Sequence, residues 1–379
     1  MKYTMAYPYF PKEDIPQILQ EVRDILEGNN PLSMGPKVAE FEKAFAAYCG
    51  VRFAVATNSC SAALEISLRS LGLKQDDEVI VPIETFFSTG ASVLREGGKI
   101  SFAGIDPQTF CLSLNEIKKV FTTKTKAIIL VHMAGLVTPE VEDIADFCRQ
   151  KGIALIEDAA HAPGASFNGK KSGSFGNMAC FSFYPTKIMT TGEGGMIVTN
   201  DEGLYQQANS YRHRGRDMAA PEECYRYLGT NNRMTEIQAI LGLVQLKNLE
   251  NFITTRNKIA QIYNQVFQKS GVSHFIPVLP DSRCFHAYWR YVVKISEHID
   301  RKKLRELVLQ KGIALDWAYD PPLHRQPFFK NLSSDVKERL ASSEKIMKNF
   351  ICLPIHSCMK EEEAHFVVYE LIESSKSLL

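Results

Sequence analysis

The chain has 379 residues, of which 45% are apolar and 23% are charged, and its 44 Lys and Arg side chains almost balance 43 Asp and Glu. This composition excludes a mostly disordered chain, and a net charge of +1 provides no global attraction to nucleic acid or to an anionic membrane. The sequence contains no apolar stretch as long as a membrane span, and its N-terminus lacks the apolar core of a signal peptide. We therefore expect a cytoplasmic protein with no membrane or nucleic-acid partner.

Two amphipathic helices are predicted in the first 50 residues. Apolar residues recur every three or four positions over Ile15–Leu26 and again over Val38–Tyr48. Gly28 and Gly50 follow these two runs, at the positions where glycine commonly ends a helix.

Seven apolar runs that follow predict strands, and several are separated by helix-like stretches such as Ala62–Leu71 and Val141–Lys151. The runs are Phe53–Ala56, Glu78–Val81, Ile100–Ile105, Ala127–His132, Ala154–Ile156, Met178–Phe183 and Met196–Thr199. This alternation predicts an α/β fold with a mainly parallel sheet between helices. Ligands of such sheets bind at the carboxyl ends of the strands, so the residues that follow each strand are candidate site residues.

A long helix is predicted to lead into a smaller second domain. Thr235–Phe252 places its apolar residues on one face, and we expect this helix to continue toward Phe267. The later pattern predicts a strand over His286–Ile295, a helix over Lys302–Gly312 and a Pro-rich loop from Asp316. We therefore expect a large domain over residues 1–250 and a small α+β domain over 251–379 that begins with the connecting helix.

Several common site motifs are absent or incomplete. Gly164–Lys171 nearly matches a phosphate-binding P-loop but has Lys where Ser or Thr is required, and Asn168-Gly169 is better explained as a hairpin turn. The chain has nine cysteines but no CxxC pair, no dinucleotide fingerprint and no metal-ligand spacing. We expect free thiols and no metal site.

An acidic residue and a lysine follow two of the predicted strands. Asp158 follows the fifth run, and Lys187 lies 29 residues later, between an apolar strand and a Gly-rich turn. A lysine amine forms a Schiff base with an aldehyde, and a carboxylate keeps a pyridine nitrogen protonated, so this pair suits pyridoxal 5'-phosphate (PLP). A surface lysine and a helix N-cap are the structural alternatives for the two residues.

A phosphate site is predicted where the first strand leads into a helix. Asn58–Leu64 contains small hydroxyl residues at a helix N-terminus, where backbone N–H groups bind phosphate well. Simple N-capping by Ser59 or Ser61 would explain the same residues. Ser182 adds a further hydroxyl five residues before the lysine.

Together these residues resemble the DegT/DnrJ/EryC1/StrS family of fold-type I aminotransferases, which act on sugars and cyclitols. The resemblance extends over nearly the whole chain and rests on Gly35–Val38, Asn58–Leu64, Glu78–Pro82, Glu157–His161, Phe181–Lys187, Gly192–Gly195, Asn231–Met234, Pro322–His324 and Leu353–His356. It implies a large PLP-binding domain with a seven-stranded sheet, and a homodimer with shared active sites.

The resemblance also implies a role for individual residues. Lys187 is the expected Schiff-base and acid–base residue, and Asp158 is expected to pair with the pyridinium nitrogen. The other expected cofactor contacts are His161 beside the ring, Phe86 stacked on it, Cys60, Ser61 and Ser182 at the phosphate, and Asn231 at the phosphate of the neighbouring subunit. The candidate substrate contacts are His324, Arg233 and Arg216, the last in a basic cluster that a diphosphate or a donor carboxylate would suit. A solvated loop is the alternative for the basic cluster, and a surface-loop histidine is the alternative for His324.

Two segments depart from the family pattern. Ser59-Cys60-Ser61 stands where the family has Ser-Gly-Thr, and we expect the phosphate site to be retained because backbone N–H groups do the binding. Glu84 and Ile83 replace the small or apolar residues that are common in the family before Thr85 and Phe86, and the sequence offers no reason for this change.

The resemblance implies transamination, because position 187 is Lys rather than the His of the family's dehydratases. We expect a ping-pong reaction through a Lys187 aldimine, with L-glutamate as the amino donor and a nucleotide-linked keto-sugar as the acceptor. An L-glutamine-dependent enzyme that acts on a cyclitol or an aminohydroxybenzoate-type cyclic ketone is an alternative. A non-catalytic PLP-binding regulatory protein is an alternative of another class.

Overall fold

The computed structural model describes residues 2–330 and 336–379. The helices are α1 (Ile15–Leu26), α2 (Pro36–Cys49), α3 (Cys60–Ser70), α4 (Phe87–Arg95), α5 (Leu114–Val120), α6 (Val141–Lys151), α7 (Glu202–Arg212), α8 (Glu236–Ser270), α9 (Arg301–Gln310), α10 (Lys337–Lys348) and α11 (Glu361–Ser375). The strands are β1 (Phe53–Thr57), β2 (Glu78–Pro82), β3 (Lys99–Ala103), β4 (Thr125–Val131), β5 (Ala154–Asp158), β6 (Ser166–Phe167), β7 (Lys170–Lys171), β8 (Met178–Ser182), β9 (Gly195–Thr199), β10 (Phe275–Pro277), β11 (Cys284–Phe285), β12 (Tyr291–Ile295) and β13 (Phe350–Leu353).

A seven-stranded sheet with the order β1-β9-β8-β5-β4-β2-β3 forms the centre of the protein. Strand β9 runs antiparallel to both of its neighbours, and the pairs from β8 to β3 are all parallel. Strand β4 is apolar and buried from Ala127 to Val131, as expected when helices cover both faces of a sheet. The sheet contains all seven predicted strands, and the predicted α/β class is confirmed.

Successive residues of the central strands pack into two different core layers. Ile128 and Leu130 of β4 belong to one layer, and Ile129 between them belongs to the other, because strand side chains alternate between the two faces. Phe41 of α2 packs in the first layer, whereas Leu64 of α3 packs in the second. The sheet is therefore held between helices, and its carboxyl edge is left to form a site.

The long helix α8 joins the central sheet to the C-terminal part of the chain. It spans 35 residues and begins with a capping box between Thr235 and Gln238. Near its start Gly242 lies against Phe41 of α2, where any larger side chain would clash. The predicted helix from residue 235 toward 267 is confirmed. The predicted domain boundary at residue 250 falls inside this helix, and the division into two domains stays a prediction.

The C-terminal part contains a second, antiparallel sheet of β10, β12 and β13. The strand predicted over His286–Ile295 is wrong in its first half, because the ladder begins only at Tyr291. Tyr288 has a φ of +50°, and the backbone N–H groups of Ala287 and Arg290 donate to the loop after β4 instead of to a neighbouring strand. This turn brings the segment His286–Arg290, which is rich in aromatic residues, back to the central sheet.

The short hairpin turn at Asn168-Gly169 was predictable from the sequence. Asn168-Gly169 connects β6 and β7 with positive φ at both positions, which confirms the predicted hairpin turn. Across residues 2–330 and 336–379, no helix is long and apolar enough to span a bilayer. The same residues include no group of three His, Cys, Asp or Glu side chains that could hold a metal ion.

Candidate active site

A cavity of about 450 Å³ opens at the carboxyl edge of the parallel strands. Its wall is built from the segments that follow β1, β2, β5 and β8, together with two aromatic residues from the C-terminal part, Trp289 and Tyr319. Seven of the predicted site residues line it: Lys187, Asp158, His161, Ser182, Cys60, Ser61 and Phe86. Residues far apart in the sequence thus meet where the strand order predicts a ligand site.

Lys187 lies in the turn after β8, and its side chain is half-buried in the cavity wall. Its Nζ is 4.5 Å from the centre of the Trp289 ring. Loss of hydration lowers the pKa of Lys187 to about 8, although the nearby Asp158 carboxylate opposes this shift. At pH 7 roughly a tenth of this amine is therefore unprotonated and able to act as a nucleophile or a base, a far larger share than for an ordinary lysine.

Asp158 is buried at the end of β5, and hydrogen bonds fix its carboxylate. Its Oδ2 accepts from the Thr89 hydroxyl at 2.8 Å, and its Oδ1 accepts from the backbone N–H of Ala160 at 3.2 Å. The Thr85 and Thr89 hydroxyl oxygens are 2.8 Å apart, so Thr85 must donate to Thr89, whose own proton goes to Asp158. Burial raises the pKa of Asp158, and the bonds from Thr89 and Ala160 partly offset that rise.

The neighbouring acid, Glu157, has a different task. It lies on the opposite face of β5, where its carboxylate accepts from His132 Nε2 at 2.8 Å. The same carboxylate accepts the backbone N–H groups of Gly173, Phe175 and Gly176 at 2.7–2.8 Å. Glu157 therefore fixes the loop that leads into β8 and does not reach the cavity.

The N-terminus of α3 forms one end of the cavity. Ser59 caps this helix by accepting from the Ala62 N–H at 3.2 Å. The backbone N–H groups of Cys60 and Ser61 have no hydrogen-bond acceptor in the described part of the chain. Gly195 on β9 passes so close that a Cβ there would lie 2.5 Å from the Ser59 backbone. The arrangement leaves two N–H donors for an anionic group.

Three aromatic side chains pack face to face along one wall. The Trp289 ring stacks on His161 with ring centres 3.7 Å apart, and His161 Nε2 lies 2.7 Å from the Tyr319 hydroxyl oxygen. Phe86 is 57% exposed at the mouth of the cavity, with its ring centre 6.2 Å from that of Tyr319. Burial, together with the charge of Lys187, lowers the pKa of His161 well below its usual value, so this imidazole is neutral.

Sequence analysis missed Trp289 and Tyr319 as cavity residues. Trp289 lies inside the run His286–Ile295 that predicts a strand, and Tyr319 lies in a Pro-rich loop, so neither carries a local signal of a site. Both lie more than a hundred residues from Lys187 in the chain. Only the turn around Tyr288 and the packing of the second sheet bring them to the cavity.

Three predicted residues lie on the surface segment between α7 and α8, away from the cavity wall. Asn231 is exposed and pairs with the backbone of His213, and Arg233 donates to His213 Nδ1 at 2.7 Å. Arg216 pairs through its backbone with Tyr225. Their roles at the cofactor and the substrate stay predictions.

His324, the fourth predicted residue outside the cavity wall, is buried. Its Nε2 lies 2.6 Å from Glu344 Oε1, and its ring is 5.9 Å from that of Phe102. These contacts join the loop after Tyr319 to α10. The expected contact of His324 with substrate stays a prediction.

The groups in the cavity fit the cofactor that the sequence predicts. Lys187 offers an amine of lowered pKa, Asp158 an anionic partner for a pyridinium nitrogen, and the start of α3 two free N–H donors for a phosphate. The hydroxyl of Ser182 also faces this cavity. A volume of about 450 Å³ is in the range of small-ligand and cofactor sites.

Comparison with known proteins agrees with this chemistry. A model of the DegT/DnrJ/EryC1/StrS aminotransferase family matches residues 12–372. The GDP-perosamine synthase of Caulobacter vibrioides is 36% identical over 345 residues, which cover 89% of this chain and 90% of that protein.

Solved structures show the same architecture. Helicobacter pylori PseC, an aminotransferase involved in the biosynthesis of pseudoaminic acid, has a TM-score of 0.91 at 27% identity, with 100% of both chains covered. The PLP form of the putative sugar aminotransferase Spr1654 from Streptococcus pneumoniae has a TM-score of 0.88 at 26% identity, with 99% of both chains covered.

Proposed function

The chain belongs to the DegT/DnrJ/EryC1/StrS aminotransferase family and is a PLP-dependent sugar aminotransferase, and on that premise we propose its substrates, its residue roles and its assembly. The proposed donor is L-glutamate, and the proposed acceptor is a nucleotide-linked keto-sugar that leaves as an amino-sugar. The single observation that carries the proposal is the meeting of Lys187, Asp158 and the free N–H groups of α3 around one cavity.

Each of these residues has a distinct task in transamination. When bound, PLP supplies an aldehyde carbon that exchanges amino groups and a ring that accepts electrons from the adjacent carbon. Lys187 Nζ binds the cofactor, then takes the proton from the donor's α-carbon and returns it in the reverse direction. Asp158, held by Thr89, keeps the proton on the ring nitrogen through its negative charge.

The phosphate is held by groups that need not move during the reaction. The backbone N–H groups of Cys60 and Ser61 and the hydroxyl of Ser182 would bind it, and the dipole of α3 favours its negative charge. Since N–H groups do the binding, the thiol of Cys60 in place of the family's glycine does not remove the site. Phe86 and His161 would contact the ring.

A sugar acceptor suits the open side of the cavity. Phe86, Tyr184, Trp289 and Tyr319 line the cavity, and aromatic side chains can bind the apolar face of a sugar while their polar atoms bind its hydroxyl groups. The name of the Caulobacter relative refers to a GDP-linked amino-sugar, which supports a nucleotide-linked acceptor for this chain.

We also propose a homodimer in which Asn231 of the partner subunit approaches the phosphate. Asn231 does not line the cavity of its own chain, and the segment that carries it exposes large apolar side chains: Met218, Tyr225, Tyr227 and Leu228, the last 90% exposed. An exposed apolar segment of this kind is typical of an interface.

We also propose a cytoplasmic location. All nine cysteines are free thiols, which supports this location.

The donor half-reaction tests this proposal. The visible absorbance of the purified PLP-loaded protein would be followed after addition of L-glutamate and, separately, of L-glutamine. We expect L-glutamate to remove the visible band of the PLP-loaded resting enzyme and to release 2-oxoglutarate. Reaction with L-glutamine alone would favour the cyclic-ketone alternative, and a spectrum that neither donor changes would contradict the proposed function.

A further inference from the structure

His161, which is buried, and Tyr319, which is half-buried, form a hydrogen-bonded pair at the cavity wall. Their Nε2 and Oη atoms are 2.7 Å apart. The other imidazole nitrogen, Nδ1, is buried and has no hydrogen-bond partner among residues 2–330 and 336–379. The Trp289 ring covers one face of the imidazole and is itself held by a 2.9 Å bond from Nε1 to the Thr186 carbonyl.

The unpartnered nitrogen indicates which atom of the pair donates. If the Tyr319 hydroxyl donated to Nε2, neutral His161 would carry its hydrogen on Nδ1 and leave a buried N–H without an acceptor. If Nε2 donates to the hydroxyl oxygen, only a lone pair on Nδ1 is left unpaired. Orphaned buried N–H donors are the rarer and costlier case. The second arrangement is therefore favoured, with His161 as the Nε2–H tautomer.

This tautomer decides where the Tyr319 proton points. A phenol whose oxygen already accepts from His161 must direct its own hydrogen elsewhere, and Tyr319 lines the cavity. Burial raises the pKa of Tyr319 well above its usual value, so the phenol retains that hydrogen. The backbone of Tyr319 has a φ of +61°, a conformation that bulky residues rarely adopt and that clusters at ligand sites.

We propose that Tyr319 is a binding residue whose hydroxyl donates a hydrogen bond to an oxygen atom of the keto-sugar, and that His161 is the positioning residue that fixes this direction. The inference rests on the proposed function for the identity of the acceptor. It assigns the recognition of a sugar oxygen to a residue of the C-terminal part of the chain, while the lysine and the acid come from the central sheet.

The tautomer can be measured directly. In protein labelled with ¹⁵N-histidine, long-range proton–nitrogen spectra distinguish a protonated ring nitrogen from an unprotonated one, and a His161→Gln variant assigns the signals. We expect Nε2 protonated and Nδ1 unprotonated in the PLP-loaded enzyme, and loss of this fixed pattern in Tyr319→Phe. Protonation at Nδ1 in the wild-type enzyme would overturn the inference.

Kinetics test the contact with the sugar. With a GDP-linked 4-keto-hexose as the probe, we expect Tyr319→Phe to raise KM for this sugar roughly two- to tenfold, as for one lost hydrogen bond. The matched control is Tyr205→Phe, which removes a phenol that stacks on Phe53 away from the cavity. An unchanged KM in Tyr319→Phe would overturn the contact.

The two proposals can fail separately. If the wild-type enzyme does not convert the probe, the proposed acceptor is wrong, and the tautomer of His161 still decides whether the pair is arranged as inferred. If the donor half-reaction itself is absent, the proposed function fails first.

Discussion

Glu84 is the clearest departure from family pattern at the scale of single residues, and the structure gives it an unusual setting. Its side chain is 1% exposed, and neither carboxylate oxygen has a hydrogen-bond partner in the described residues. Burial raises the pKa of Glu84 well above its usual value, so the acid is kept neutral in the folded protein. It does not line the cavity, and nothing in the structure explains why an acid is present at this position.

A pH-dependent stability cost follows from this setting. The unfolded chain releases the Glu84 proton above its ordinary pKa, whereas the folded protein retains it, so folding stability falls as pH rises through that range. We expect Glu84→Gln, which is neutral at every pH, to unfold less readily than the wild type by about 1–3 kcal/mol near neutral pH, with a smaller gain toward about pH 5.

Urea unfolding at several pH values measures this difference in the free energy of unfolding. Glu222→Gln, at an exposed site, is the control, and it should leave the curve unchanged. Parallel pH profiles for Glu84→Gln and the wild type would show that Glu84 is not held neutral.

Single residues were predictable from the sequence where a local context restricts their role. Lys187 lies between an apolar strand and a Gly-rich turn, and Asp158 ends a buried strand, so both could be placed at the carboxyl edge of the sheet. The distinction between Asp158 and Glu157 follows from the alternation of strand side chains. Tyr319 could not be identified as a cavity residue in this way. Its position depends on a turn and on a positive φ, and no local sequence pattern predicts either of them.

At the scale of elements, one buried carboxylate joins two helices. Glu236, the first residue of α8, accepts hydrogen bonds from the backbone N–H groups of Gly35, Lys37 and Val38 at 2.7–3.3 Å. These groups form the N-terminus of α2, which has no side-chain cap from its own N-cap residue. A residue distant in sequence thus caps the helix.

Removal of this cap should destabilise the protein. We expect Glu236→Ala to lower the free energy of unfolding by about 2–4 kcal/mol, because it leaves buried N–H donors unpaired at a helix N-terminus. Denaturant unfolding measures the change, and Glu361→Ala, in the exposed first turn of α11, is the matched control. A loss no larger than that of the control would contradict a capping role.

Helices and strands were predicted well where a single pattern of apolar residues dominates the segment. The seven strands of the central sheet are short apolar runs between turn residues, and all of them form. The segment His286–Arg290 has the same apolar and aromatic character, but the backbone N–H groups of Ala287 and Arg290 donate to the loop after β4. Composition alone could not distinguish these two outcomes, because they differ in a tertiary contact.

At the scale of the whole molecule, the site lies where two sheets approach each other. The central sheet provides Lys187, Asp158 and the free N–H groups of α3 at its carboxyl edge, and the C-terminal part adds Trp289 and Tyr319. The carboxyl edge of a parallel sheet is predictable from strand order. The aromatic wall is not, because it depends on how the second sheet packs and on side chains brought from another part of the chain.

The central claim is that Lys187 holds the cofactor covalently in this cavity. Borohydride reduction of the PLP-loaded protein, followed by protease digestion and mass spectrometry, tests it most directly, with Lys187→Ala as the matched variant. The account predicts a phosphopyridoxyl group on the peptide that contains Lys187 and no labelled peptide in the variant. A label on another lysine, or none in the wild-type protein, would contradict the account.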